Sequence, residues 1–163
     1  GLLRSRDRPF HVRRGEAAGL DDLRDGPLVL LGPSQWANRV TERLRFSHAQ
    51  EGGVRYIRDS QNPADRKWSL PGRVPPGETL TEDYALISRI LDPATGHFAV
   101  LARGLFPYGT RAAAEFLTDP EHLEEARQRL PGDWRGRNIQ IVISTQVVGE
   151  NSGQPRVVAV HLW

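Results

Sequence analysis

Hydrophobic and polar positions alternate in three pairs of segments, and a turn sequence separates the two members of each pair. The pairs are residues 44–49 with 54–58, residues 84–91 with 98–102, and residues 139–148 with 157–163. Alternation on both sides of a short polar or glycine-containing turn is typical of antiparallel hairpins. The sequence therefore predicts three β-hairpins.

Apolar residues at helical spacing predict three helices. Two of them begin at a capping residue, and one begins directly after a strand. Ser34 is placed to cap a short helix that carries Trp36 and Val40. A second helix is predicted over residues 109–117. A third begins where Asp119 precedes Pro120, since an N-cap carboxylate followed by proline is a typical helix start.

A short apolar run, Leu28–Leu31, lies between glycine and proline residues and is typical of a central strand. Together with residues 98–102 it is expected to form the buried centre of the sheet. Hairpins interrupted by helices do not give the strict alternation of a purely parallel sheet. We therefore predict a single α+β or α/β domain over residues 20–163, with a mixed sheet built from hairpins and packed by two to four short helices.

Composition narrows the function classes. The chain has 163 residues and a net charge of +2, and it contains no cysteine. Disulfides and thiol catalysis are therefore excluded, whereas the compartment stays open, with the cytoplasm favoured. A charge this small gives no reason to expect nucleic-acid binding. No apolar run approaches the roughly 20 residues that cross a bilayer, so membrane insertion is not expected.

The first 19 residues are polar and arginine-rich, and they show no periodicity. We interpret them as an N-terminal linker or tail. The chain begins with Gly1 and contains no methionine, so we interpret it as a piece of a longer protein.

The first candidate ligand site follows the strand Leu28–Leu31. In open α/β sheets, ligands bind beyond the carboxyl ends of strands. Ser34, Gln35 and Asn38 offer neutral hydrogen-bonding groups there, and Trp36 offers a flat apolar face. The alternative is that Ser34 only caps a helix and Trp36 fills the core. The spacing of glycines does not fit a phosphate-binding loop.

The second candidate follows the strand at residues 98–102, where a strand runs into a helix near Gly109. Unpaired N–H groups at a helix N-terminus favour an anion. The candidate ligand-binding residues of this loop are Arg103, Gly104, Tyr108, Gly109, Thr110 and Arg111. Thr110 alternatively serves only as a cap. Because both loops follow apolar strands, we expect one crevice to use both.

No residue is assigned a catalytic or metal-binding role, and no cofactor is expected. The carboxylates considered for acid–base chemistry are Asp59, Glu82, Asp83, Asp92 and Glu115. The histidines lack metal-ligand spacing, and His48 and His161 are expected to face solvent from strands. No nucleophile elbow is present.

Five segments together resemble an uncharacterised family of bacterial domains. They are residues 27–38, 57–59, 83–89, 108–118 and 157–163. Domains of this family usually occupy the C-terminus of longer proteins, sometimes after DNA-binding or membrane segments. The resemblance, over about residues 20–163, implies a sensory or accessory module and assigns no catalytic residues.

Three hypotheses follow. The leading one is a non-enzymatic sensory or regulatory domain that binds a small polar or anionic ligand in the shared crevice. The second is a self-association or protein-interaction module that uses the edge of the C-terminal hairpin and Trp163. The third is a hydrolase or transferase whose carboxylates, or whose Ser–His pair, lie in the same crevice.

Overall fold

A curled, half-barrel mixed sheet lies at the centre of the fold in a computed structural model, which describes residue 21 and residues 24–163. Helices pack on one of its faces, and a small antiparallel sheet and another helix pack on the other. The predicted tail, residues 1–19, lies outside the described residues. The mixed α+β fold predicted from the sequence is confirmed.

The described residues form nine strands and three α-helices. The strands are β1 (Leu28–Leu31), β2 (Phe46–Glu51), β3 (Val54–Asp59), β4 (Ser69–Pro71), β5 (Glu82–Leu91), β6 (Phe98–Gly104), β7 (Ile139–Val148), β8 (Asn151–Ser152) and β9 (Arg156–Leu162). The helices are α1 (Gln35–Thr41), α2 (Pro107–Thr118) and α3 (Pro120–Gln128), and a 3-10 turn covers Trp134–Gly136.

The large sheet has the order β1-β6-β5-β7, with both β8 and β9 paired to β7. Only the β1–β6 pairing is parallel; the other pairings are antiparallel. The second and third predicted hairpins are therefore confirmed as β5–β6 and β7–β9. The first is confirmed as β2–β3, but it forms a separate sheet with β4.

β1 does not lie at the centre of the sheet, so that part of the prediction is wrong. Among the described residues it pairs with β6 alone, whereas β6 lies between β1 and β5 as expected for a central strand. Leu30 is buried, but Val29 and Leu31 are 53% and 48% exposed. A short apolar run does not distinguish an edge strand from a central strand, because an edge strand with one buried face can also be apolar.

The side chains of β5 alternate between the two faces of the large sheet, and they contact the layers packed on both faces. Ala85 and Ile87 face α2 and α3, whereas Tyr84 and Leu86 face the small sheet. Successive side chains of a strand point to opposite faces, so one strand contributes to both cores. Helix α1 covers the same face as the small sheet, nearer β1.

Gln140 joins the two sheets. Its side-chain oxygen accepts from Phe46 N at 2.9 Å, and its side-chain nitrogen donates to Phe46 O at 2.8 Å and to Ser88 Oγ at 3.1 Å. Gln140 is fully buried. The amide thus satisfies both backbone groups of Phe46 at the edge of the small sheet, where buried polar groups require partners.

The helix starts follow local chemistry. Asp119 caps α3 as predicted, since its Oδ1 accepts from Glu121 N at 2.8 Å. Helix α2, in contrast, begins at Pro107, earlier than the predicted 109. Proline fits the first turn because it lacks the N–H that would be unpaired there.

Candidate functional site

The residues of the first predicted loop have different surroundings. Ser34 caps α1 by accepting from Ala37 N at 3.3 Å, and Trp36 packs against the cluster around Leu30. Gln35 is exposed. Asn38, on the next turn, is the member of this group that reaches a large cleft. The capping and core-filling alternative therefore describes Ser34 and Trp36.

The second predicted loop is organised by hydrogen bonds within the protein. Thr110 does not cap α2; its Oγ1 accepts from Gly104 N at 2.9 Å, within the strand-to-helix connection. Tyr108 is half-buried in the first turn of the helix. Arg111 donates to Glu150 O at 3.3 Å, so its side chain points towards the β7–β8 turn.

The N-terminus of α2 is already occupied by a carboxylate of the protein itself. Asp83 accepts from Phe106 N at 3.1 Å and from Gly109 N at 2.5 Å, and it also accepts from Tyr84 N at 2.8 Å. The Asp83 side chain is fully buried. The anion that a helix N-terminus favours is therefore supplied by β5, and the place for a ligand lies elsewhere.

Burial has the dominant effect on the Asp83 carboxyl and raises its pKa to about 6. The backbone N–H groups of Gly109, Tyr84 and Phe106, and the charge of Arg55, oppose this rise. Burial disfavours the charged form, whereas N–H donors favour it. Asp83 thus links the strand β5 to the start of α2 as a buried structural group.

The two predicted loops do meet at one point. Arg103 donates to Asn38 Oδ1 at 2.9 Å, across the gap between the end of β6 and α1. Both residues line a cleft of about 370 Å³. Arg103 and Asn38 are thus brought together at the cleft, whereas the other predicted site residues do not line it.

We call this cleft the arginine cleft. It lies between α1, the β2–β3 hairpin and the end of β6, and the polar residues that line it include Asn38, Arg39, Ser47, His48, Arg55 and Arg103. Glu42 is the one carboxylate that lines it among the described residues, and it is exposed. The walls therefore carry more positive than negative charge.

His48 fixes the hairpin against β6. Its Nε2 lies 3.1 Å from the carbonyl oxygen of Arg103, which can only accept, so Nε2 carries the proton. Burial and the charge of Arg103 lower the pKa of His48 to about 4. The imidazole is therefore neutral at pH 7. The expectation that His48 faces solvent is wrong, because the hairpin folds onto the large sheet.

Two buried polar atoms of the cleft lack hydrogen-bond partners among the described residues. They are Ser47 Oγ and Arg55 Nε, and Ser47 is only 3% exposed. Buried polar groups are usually satisfied. Both atoms have almost no accessible surface, so they are shielded from the open part of the cleft.

The guanidinium groups of the cleft are held in place by the fold. Arg55 donates to Leu105 O at 3.2 Å, and its guanidinium carbon lies 4.7 Å from the Phe106 ring centroid. Burial, and then the charge of Arg55, lower the pKa of Arg103. Arg55 and Arg103 both line the cleft, and two positive charges in one cleft favour binding of an anion.

Ser47 and His48 line the same cleft, but they do not form a nucleophile–base pair. Ser47 and His48 are adjacent on β2, so their side chains point to opposite faces of the strand. None of the five carboxylates considered from the sequence lines the cleft. Asp59 pairs with Arg45 at 3.1 Å, and Asp92 accepts from Ala94 N at 3.0 Å in its turn. In the part of the chain described, no cluster of three His, Cys, Asp or Glu side chains could hold a metal.

Sequence reasoning missed Ser47, His48, Arg39 and Arg55 as cleft residues. The polar and basic residues of the first hairpin were a signal for Ser47, His48 and Arg55, and no local signal indicated Arg39 on α1. In residues 24–163, no helix has the length and apolar character needed to span a membrane.

No family model matches the chain, and no curated protein and no solved structure is significantly similar to it. The resemblance to a bacterial C-terminal domain family stays a prediction.

Proposed function

We propose that this domain is a sensory or regulatory module that binds a small anionic ligand in the arginine cleft. One observation carries the proposal: Arg39, Arg55 and Arg103 line a single cleft whose one described carboxylate is exposed. Arginine donates several N–H groups in a planar arrangement that matches carboxylate and phosphate oxygens. The volume, about 370 Å³, fits a metabolite-sized ligand.

The neutral groups of the cleft support the same proposal. Asn38 orients Arg103 at 2.9 Å. Neutral His48 adds no charge but holds the Arg103 backbone. The ligand is therefore an oxyanion with several acceptor oxygens, bound without bond making or breaking.

A thermal-shift comparison tests this. Inorganic phosphate, citrate and a nucleoside monophosphate are added to the wild type, Arg103→Gln and Arg111→Gln. An anion present at about 100 times its Kd raises the melting temperature of a chain of this size by roughly 5–10 °C. We expect that rise in the wild type and in Arg111→Gln, and its loss in Arg103→Gln.

Arg111→Gln is the matched control, because it removes the same charge from an exposed side chain that bonds Glu150 O instead of the cleft. Equal shifts in the two variants, or an equal shift from sodium chloride at matched ionic strength, would contradict the proposal. If none of the three anions raised the melting temperature of the wild type, that result would also contradict the proposal.

Self-association through the C-terminal hairpin is the second candidate function. Among the described residues the only strand that pairs with β9 is β7, and one β9 carbonyl, Val157 O, accepts from Arg129 at 3.1 Å. Val158 and Trp163 are 42% and 39% exposed there, and Trp163 stacks on His161 with ring centroids 5.3 Å apart. An apolar open edge favours pairing with a second chain.

Sedimentation velocity over a wide concentration range tests the second candidate. We expect a concentration-dependent dimer that Val158→Lys returns to monomer, since a charge on an edge strand opposes pairing. The substitution Arg156→Lys on the same strand keeps the charge and serves as control. A wild type that stays monomeric at all concentrations would remove this candidate.

A further inference from the structure

A second cavity lies on the opposite face of the large sheet from the arginine cleft. It has a volume of about 350 Å³ and is enclosed by α3, the end of α2 and the sheet. Its walls are mainly apolar side chains, among them Ile87, Phe116, Leu123, Ala126, Leu130 and Trp134. We call it the apolar cavity. It is partly open to solvent, and its size is within the range of about 300–1,000 Å³ typical of small-molecule sites.

Three charged side chains line the apolar cavity, and two of them neutralise each other. Arg127 pairs with Glu124, with Nε 2.6 Å from Oε2. The third, Arg89, forms no ion pair with any described carboxylate. One positive charge therefore remains in a wall that is otherwise apolar.

Arg89 is fixed in position. It donates to Arg137 O and to Arg135 O, each at 2.9 Å. Its guanidinium carbon lies 3.4 Å from the Phe98 ring centroid and 5.8 Å from that of Trp134. A guanidinium has five N–H donors, so donors remain for an anion after these two bonds.

We propose that the apolar cavity binds an aliphatic carboxylate of medium chain length, a free fatty acid. The alkyl chain lies among the apolar side chains between α3 and the sheet, and the carboxylate pairs with Arg89. Partly buried charge without a counter-ion is unfavourable, so an anion is favoured over a neutral ligand of the same shape. This site is independent of the arginine cleft and of its proposed function.

The proposal is tested in the wild-type protein by varying the alkyl chain length and the head group of the ligand and measuring its affinity. Octanoate, decanoate and decanol are titrated by calorimetry below the concentrations at which they form micelles. Each buried methylene strengthens binding about fourfold, so decanoate is expected to bind roughly fifteenfold more tightly than octanoate. Decanol, which cannot form an ion pair with Arg89, is expected to bind about tenfold more weakly than decanoate.

Three variants locate the binding. Ala126→Leu fills the cavity from its wall and is expected to abolish binding of both decanoate and decanol. Arg89→Gln is expected to weaken decanoate about tenfold and to leave decanol unchanged. Arg135→Gln is the matched control, since Arg135 also stacks on Trp134, at 4.9 Å, but does not line the cavity.

Several outcomes would overturn the proposal. Equal affinity of the wild type for decanoate and decanol would remove the pairing with Arg89, and this comparison decides even if Arg89→Gln fails to fold. Undiminished binding by Ala126→Leu would place the ligand elsewhere. Absence of saturable binding would remove the site. A dimer that Leu123→Asp abolishes, without saturable decanoate binding, would assign the apolar cavity to a second copy of the chain.

Discussion

Replacing Gln140 by leucine is expected to lower the free energy of unfolding by about 3–5 kcal/mol, since two buried backbone groups each lose a partner worth about 1–3 kcal/mol. Those groups are Phe46 N and Phe46 O, which the Gln140 amide bonds at 2.9 and 2.8 Å. Leucine is no smaller than glutamine, so the substitution leaves no cavity and the loss reports mainly the missing hydrogen bonds. Chemical denaturation monitored by tryptophan fluorescence measures it, because Trp68 packs beside Phe46.

Gln146→Leu is the control for this experiment. Gln146 lies on the same strand, β7, but is exposed, so its replacement is expected to change the free energy by less than about 0.5 kcal/mol. Equal losses in the two variants would mean that Gln140 does not join the sheets. A loss confined to Gln140→Leu would show that the small sheet is held to the large one by this amide.

The hydrogen bonds between Gln140 and Phe46 show why the three hairpins follow from the sequence, whereas the separation of the first hairpin into its own sheet does not. A period of two residues and a turn are local properties, so β2–β3, β5–β6 and β7–β9 follow from the sequence alone. The bond from Phe46 to Gln140 spans 94 residues. No local pattern indicates that the first hairpin leaves the main sheet and packs on its face.

The candidate site was predicted in part for the same reason. The sequence places candidate ligand residues at the ends of apolar strands, and two of them, Asn38 on α1 and Arg103 near the end of β6, line the cleft. Ser47, His48 and Arg55 reach the cleft only because the small sheet packs beside β6. Asp83 was seen as a carboxylate before a strand, and only the tertiary fold places it at the N-terminus of α2.

Replacing Asp83 by alanine is expected to lower the free energy of unfolding at pH 4 by about 2–5 kcal/mol, because the buried N–H groups of Phe106 and Gly109 lose their acceptor. The effect is also expected to depend on pH. The folded carboxyl has a pKa of about 6, against an ordinary value of 3.8. Between these values the folded protein keeps a proton that the unfolded chain has released.

The sign of that dependence follows from proton linkage. Where the folded state binds more protons than the unfolded state, stability falls as the pH rises. The difference between wild type and Asp83→Ala should therefore be largest near pH 4 and should shrink through pH 6. His48 also titrates in this range, but it is present in both proteins, so its contribution cancels in the difference between their free energies of unfolding. Denaturation curves at pH 4, 5, 6 and 7 measure the difference.

A difference that grows with pH would contradict this prediction, because it would mean that the N–H donors outweigh burial and keep the Asp83 pKa low. Asp133→Ala, an exposed aspartate, controls for loss of a carboxylate and is expected to change stability by less than about 0.5 kcal/mol.

A substitution at Gly109 tests the same contact between β5 and α2 while Asp83 itself is retained. A Cβ there would lie 2.6 Å from Tyr84 O and 3.0 Å from Asp83 Oδ2, whereas a Cβ at Gly132 meets no atom within 4 Å. Gly109→Ala should therefore displace Asp83 and cost stability comparable to Asp83→Ala, and Gly132→Ala should not. If Gly109→Ala were as stable as Gly132→Ala, α2 would not depend on close contact with β5. The internal carboxylate would then be dispensable, and the N-terminus of α2 would again be a candidate for an external anion.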